Sequence, residues 1–256
     1  MSIHHTRAPS VFSSQHFKAL CLLWCLLLAS TLLWDASGLD LVVMQQIGTP
    51  QGFPLRHNWW LEQVLHTGLR RVITVLYLML WAWACWPLRD RPGLGLGLPR
   101  RERVMAMLLA TLALAYISTL KHLSLTSCPW ELRSFGGAAL QVSHWNWGQA
   151  DGGPGHCFPG GHVSSAFAFV VLALPWLLPP GGGQRSANVG LFLMAGILMT
   201  GLVAGAAQTL RGAHHPSHTL WTLLICSAIG GLGWLAASGL FDSRQTQIHP
   251  RDSGQA

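Results

Sequence analysis

The chain has 256 residues, 50% of them hydrophobic and 10% charged, with a formal net charge of +7. Soluble domains carry about 25% charged residues, so an ordinary soluble fold is excluded. The positive excess does not point to nucleic acid, because no basic, aromatic-interleaved domain stands outside the apolar segments; attraction to anionic lipid is its plainer meaning.

A spanning helix needs roughly 20 apolar residues to cross about 30 Å of hydrocarbon. In chain order, six segments approach that length: 17–34, 72–86, 104–120, 163–178, 190–207 and 220–240. The first is long for a cleaved signal and lacks a small-x-small site before Trp34 and Asp35, so a retained helix is expected. The second is the weakest, and Arg70 and Arg71 are expected to lengthen it by snorkelling to the interface. Trp34, Trp59, Trp60, Trp86, Trp130 and Trp176 sit at segment ends, where indoles favour the headgroup layer. The expected fold class is therefore all-α, a polytopic membrane protein with about six transmembrane helices over 17–241. Tails at 1–16 and 242–256 flank it, the second polar and expected to be disordered.

Loop 87–103 carries Arg89, Arg91, Arg100, Arg101 and Arg103 against Asp90 and Glu102, which marks it as cytoplasmic. Alternation then puts both tails and the Gly-rich loop with Arg185 on the same side. Segments 35–68 and 121–162 and the turn 211–218 fall on the outer side.

Three clusters of unusual residues share that outer side: 121–130 (KHLSLTSCPW), 156–165 (HCFPGGHVSS) and 208–221 (QTLRGAHHPSHTLW). Each abuts a helix end. In the second, Pro159, Gly160, Gly161 and His162 open a helix with Ser164 and Ser165 in its first turn. Free N–H groups and the positive dipole end make such a start an anion site, and two glycines let a bulky oxyanion approach. A plain Pro-Gly turn with an interfacial histidine is the alternative. In the third, Arg211, His214 and His218 share a face if the helix is continuous through Pro216. Arginine's planar fork suits phosphate, and a histidine four residues from another can fix its tautomer. Two other readings stay open: an Arg/His interfacial anchor, and an HHxxH zinc half-site of His214, His215 and His218 that no carboxylate or Cys pattern completes. Lys121 alone reads as a snorkelling anchor.

Together the clusters resemble the three-part signature of the type 2 phosphatidic acid phosphatase superfamily: Lys-x6-Arg-Pro, Pro-Ser-Gly-His and Ser-Arg-x5-His-x3-Asp. Here they read Lys121-x6-Cys128-Pro129, Pro159-Gly160-Gly161-His162 and Ala207-Gln208-x5-His214-x3-His218. Cys128, Gly160, Gln208 and His218 depart from the pattern. Arg211, one turn beyond Gln208, is placed to serve the same phosphate. The likeness covers roughly 104–240, and its wording looks like a bacterial branch.

The resemblance implies a phosphatidic-acid-phosphatase/haloperoxidase-like helical bundle in a bacterial inner membrane. It further implies a metal-independent lipid phosphatase without cofactor, its site facing the periplasm. His214 would attack phosphorus to form a phosphohistidine, His218 would orient it, and His162 would protonate the leaving oxygen and then activate water. Lys121, Arg211, Gly160 and Gly161 would hold the phosphate oxygens. Glu131 and Asp151 are candidate sources of the carboxylate missing beside His214. Cys128 and Cys157 each adjoin a motif in an oxidising compartment and are expected to pair, whereas Cys21, Cys25, Cys85 and Cys226 lie in apolar helices. The expected partner is a phosphorylated membrane lipid: polyprenyl diphosphate, phosphatidylglycerophosphate, phosphatidic acid or a lipid A phosphate. A lipid phosphotransferase with the same phosphohistidine and an inert lipid-binding protein are the rival readings. Segment 35–68, with Trp59 and Trp60, is expected along the interface.

Overall fold

A computed structural model of the chain describes residues 15–87, 98–182 and 185–248. Helix α1 (Gln15–Ala36) turns at Gly38, whose φ of 71° suits a residue without a side chain, into the short α2 (Leu39–Ile47). A π-helical stretch, Trp60–Gly68, then continues without a break into α3 (Leu69–Cys85). After α4 (Arg100–Leu123) come two 3₁₀ turns, Pro129–Glu131 and Arg133–Phe135, in a long loop. The next helix begins as α5 (Gly161–Phe167), tightens to 3₁₀ over Ala168–Ala173 and ends as α6 (Leu174–Leu177). Helices α7 (Ala187–Leu210) and α8 (Pro216–Ile248) complete the chain, and no named strand occurs among the described residues.

Among the described residues, five helices are long and apolar enough to cross a membrane: Gln15–Ser37, Trp60–Cys85, Arg100–Leu123, Ala187–Leu210 and Pro216–Gly239. The fourth apolar segment of the sequence differs. It is the shorter Gly161–Leu177, and it runs through the middle of the bundle against α4, α7 and α8. Val163, Phe167, Val171, Leu174 and Trp176 are all buried there. The outer helices show the opposite pattern, with Leu33 72%, Phe192 80% and Leu232 68% exposed. Such a sleeve of aliphatic and aromatic side chains is costly in water and suits lipid. Close approach between helices rests on absent side chains. A Cβ on Gly201 would come within 2.0 Å of the Phe167 ring, and one on Gly233 within 2.3 Å of Leu109 Cδ2.

The second span begins at Trp60, twelve residues before the apolar segment 72–86. Glu62, His66, Arg70 and Arg71 hide that extension from hydropathy, and three of these side chains have tasks at the site described below. Of the tryptophans assigned to the interface, Trp59, Trp60 and Trp86 are exposed, but Trp176 is buried and Trp34 donates through Nε1 to Asp40 Oδ1 at 2.8 Å. Helix α8 runs on to Ile248, past Asp242, where the sequence reading begins a disordered tail. The rest of that tail, the N-terminal tail through residue 14, Arg89 and Arg91 lie outside the described residues.

The loops sort to two ends. At one, Arg185 donates to Glu102 Oε1 at 3.0 Å and Arg103 to the carbonyls of Trp83 and Trp86. At the other, segments 35–68, 121–162 and 211–218 interlock. Asp40 accepts from the backbone N–H of Ser217 at 3.0 Å and from its hydroxyl, so a carboxylate on α2 caps the start of α8. Asp35 accepts from Trp145 Nε1 and Trp221 Nε1 at 2.7 and 3.1 Å. Asp40→Ala is expected to cost about 2 kcal/mol, the scale of a capping carboxylate with several donors. Thermal unfolding in detergent reads this loss, and an unchanged midpoint would refute the capping role.

Candidate active site

Where α4 ends, α5 begins and the α7–α8 turn passes, a cavity of about 410 Å³ opens. Lys121 reaches it from the last turn of α4. Gly161 makes room for that side chain: a Cβ there would stand 3.0 Å from Lys121 Cδ and 3.4 Å from Nζ. His162 follows on α5, and its Nε2–H points to the Leu65 carbonyl at 3.2 Å. Its ring packs on His66 with centroids 4.5 Å apart. His214 lines the opposite wall from the α7–α8 turn and is buried. Its Nδ1 lies 3.3 Å from Nδ1 of His218, which stands behind it and off the cavity. The backbone of Cys157 adjoins both rings.

Lys121, Gly161, His162 and His214 thus meet in one place, and Cys128 joins them on the wall. Two other residues expected at the phosphate do not. The N–H of Gly160 is directed to the His218 carbonyl at 3.4 Å, and its own carbonyl accepts from Thr222 Oγ1 at 3.2 Å. Arg211 is turned aside: its Nε donates to the Arg56 carbonyl at 2.9 Å and Nη2 lies 3.4 Å from Glu62 Oε1. Its guanidinium also sits 6.0 Å from the Trp130 ring centroid. The turn at Gly212 and the long segment folding back over it decide this orientation, and neither is visible in a motif.

Sequence reasoning left out His66 and Arg70 as site residues, though both line the cavity, as do Trp130, Ser164, Ser165 and Gln208. A signal existed. Glu62, His66 and Arg70 recur at every fourth residue, so they form one polar stripe at the head of an otherwise apolar helix. Glu62 holds Arg211, His66 packs on His162, and Arg70 faces the cavity.

The carboxylates near the histidines also differ from those first considered. Asp151 is consumed by Ser127, accepting from its N–H and hydroxyl, and by the N–H of Gly153. The nearer acids are Asp35 and Asp40. Asp35 Oδ2 lies 3.0 Å from Nε2 of His144, though not aligned as a hydrogen bond. His144 stacks on Phe158 at 4.1 Å and meets the edge of His218 at 6.3 Å.

Cys128 and Cys157 are joined by a disulfide across 29 residues. They are also the sulfurs that gather with His214 as possible metal ligands, within 4.8 Å of one another. The bond between them removes the thiolates that a metal would take.

Burial sets the charge state of the histidines outside the spans. Desolvation, then the Lys121 charge, pushes His214 down to about 3. Desolvation also lowers His144 and His215, with Asp35 and Asp40 opposing it. The unfolded chain protonates these rings near 6.5. Between about pH 6.5 and the lower folded values the unfolded state therefore holds more protons, so stability falls as pH drops. Unfolding midpoints in detergent are expected to decline steadily from about pH 7 to about pH 5. A flat profile would show that these rings are not shielded.

The fold and cavity together define a class: a multi-pass helical membrane protein with a cationic, histidine-lined site at one end of its bundle. The family model of the PAP2 superfamily matches residues 103–241, more than half of the chain, and the protein belongs to that superfamily. Members of that superfamily are phosphatases of lipid-like phosphate esters, which supports phosphoric ester hydrolysis as the class of activity here. Neither a curated protein nor a solved structure matches it.

Proposed function

We propose that this protein is a membrane lipid phosphatase, hydrolysing a lipid phosphomonoester or diphosphate at the periplasmic face of a bacterial inner membrane through a phosphohistidine. The observation that carries this reading is the convergence of His214, His162 and Lys121 on one cavity with no carboxylate in its lining.

With Nδ1 of His214 hydrogen-bonded to His218, its other ring nitrogen, Nε2, carries the attacking lone pair. A bond forms from Nε2 to phosphorus while the phosphorus–oxygen bond to the lipid breaks. The bound phosphate anion holds His162 as the imidazolium, and the departing oxygen takes its Nδ1 proton while Nε2–H stays on the Leu65 carbonyl. Water then gives a proton to His162 and attacks phosphorus, the P–N bond breaks, and phosphate leaves. Lys121 neutralises charge on the non-bridging oxygens through both steps. A neutral partner at position 218 withholds the full charge that a carboxylate would lend the imidazolium, so the first step relies more on these cations. The orientation rests on Arg100, Arg101, Arg103 and Arg185, which fall at the end away from the cavity.

The test is an assay of the purified protein against polyprenyl diphosphate, phosphatidylglycerophosphate, phosphatidic acid and lipid A, reading free phosphate and lipid product together. Free phosphate from one of them supports hydrolysis. Labelled phosphate appearing in a second lipid instead identifies a phosphotransferase, and retention without turnover identifies an inert binder.

A further inference from the structure

We infer that Arg70 is a substrate-binding residue of this site, supplying the guanidinium for the lipid phosphate. The inference rests on the phosphatase reading above and names a residue outside its three motifs. Lys121 and Arg70 both line the cavity and lie within electrostatic reach of each other, Arg70 also of His162 and Lys121 of His214. Neither is paired with a carboxylate among the described residues. Two like charges facing one hollow without a counter-charge are a receptor for an anion. Arg211 cannot fill this role in its observed orientation, since Glu62 and the Arg56 carbonyl hold it.

The position of Arg70 also speaks to the kind of anion. With Thr67, Arg71, Thr74 and Val75 it lies on one open face of the second span. Val72, Val75 and Leu78 are exposed on the same helix. Arg70 therefore stands where the cavity meets the exposed apolar face of this helix. A molecule with its phosphate at His214 and its chain along that apolar face brings its headgroup past the guanidinium, whereas a small soluble phosphate ester has no use for the apolar face.

The test uses the full-length protein in detergent, with Arg70→Gln, Arg70→Lys and His214→Gln beside the unaltered chain. Phosphate release from the best lipid substrate is followed as kcat and KM, and binding of inorganic phosphate is measured separately. Arg70→Gln is expected to lower kcat/KM about 100-fold, the scale of losing one oriented donor to a transition state. Arg70→Lys should recover about tenfold of that, having the charge without the fork. Phosphate binding should weaken in parallel. If the unaltered protein is active, His214→Gln is inactive and Arg70→Gln stays within about twofold of normal, the inference is wrong and the phosphatase reading stands. If no lipid phosphate is turned over but phosphate binding still depends on Arg70, the phosphatase reading fails and the anion site remains. Should Arg70→Gln fail to fold, Arg70→Lys decides, because unchanged kcat/KM and phosphate binding there remove any need for the fork.

Discussion

Replacing His214 by glutamine is expected to reduce phosphate release from a lipid phosphate by at least about 10³-fold, with insertion and fold retained. The ring is buried, and its depressed affinity for protons, with a pKa of about 3, leaves it unprotonated across the physiological range. That state is required of a nucleophile. Glutamine has similar reach and can still meet Nδ1 of His218, which lies 3.3 Å from the histidine it replaces. The hydrogen bond can thus survive while the nucleophilic nitrogen is lost. Rapid quenching with labelled substrate should reveal an acid-labile phosphoprotein in the unaltered chain and none in the variant. Full turnover by His214→Gln would end the covalent mechanism.

The second large effect concerns the disulfide. Exchanging Cys128 and Cys157 together for serine is expected to cost about 3–4 kcal/mol, from the entropy of closing a loop of this size. The loop includes Trp130, which stacks beneath Arg56 at 4.5 Å and donates its backbone N–H to Gly212 at 2.9 Å. It also includes Leu132, Phe135 and Ala139, which form a small core with Met44 and Phe53. Those contacts should keep the loop partly in place, so activity should fall less steeply than stability. Unfolding in denaturant with and without reductant measures the first quantity, and phosphate release measures the second. Equal midpoints for the oxidised protein and the double serine variant would show that the bridge contributes nothing.

Much of the fold was legible because lipid imposes a simple rule of length and polarity. The apolar segments located each long helix, and arginines near Arg100 and at Arg185 separated the two ends. Hydropathy reports what a segment is made of and not what surrounds it, so Gly161–Leu177 was counted like the others although it lies inside them. The same limitation shortened the second span, because Glu62, His66 and Arg70 are polar although the helix that carries them runs on unbroken into the apolar α3. At the site, Lys121, His162 and His214 could be placed together because each is tied to a helix end and a motif spacing. Arg211 and Gly160 could not be placed correctly. Their orientations depend on Arg56, Glu62 and the His218 carbonyl, partners brought close only by folding.

The matched family region begins at residue 103, yet the cavity does not. His66 and Arg70 form part of its wall, Leu65 supplies the carbonyl facing His162, and Asp40 fastens the start of the histidine-bearing α8. The stretch that carries the recognisable signature is therefore not a transplantable module. Grafted alone onto another membrane scaffold, it would bring His162 and His214 but leave behind the side of the cavity that His66 and Arg70 form.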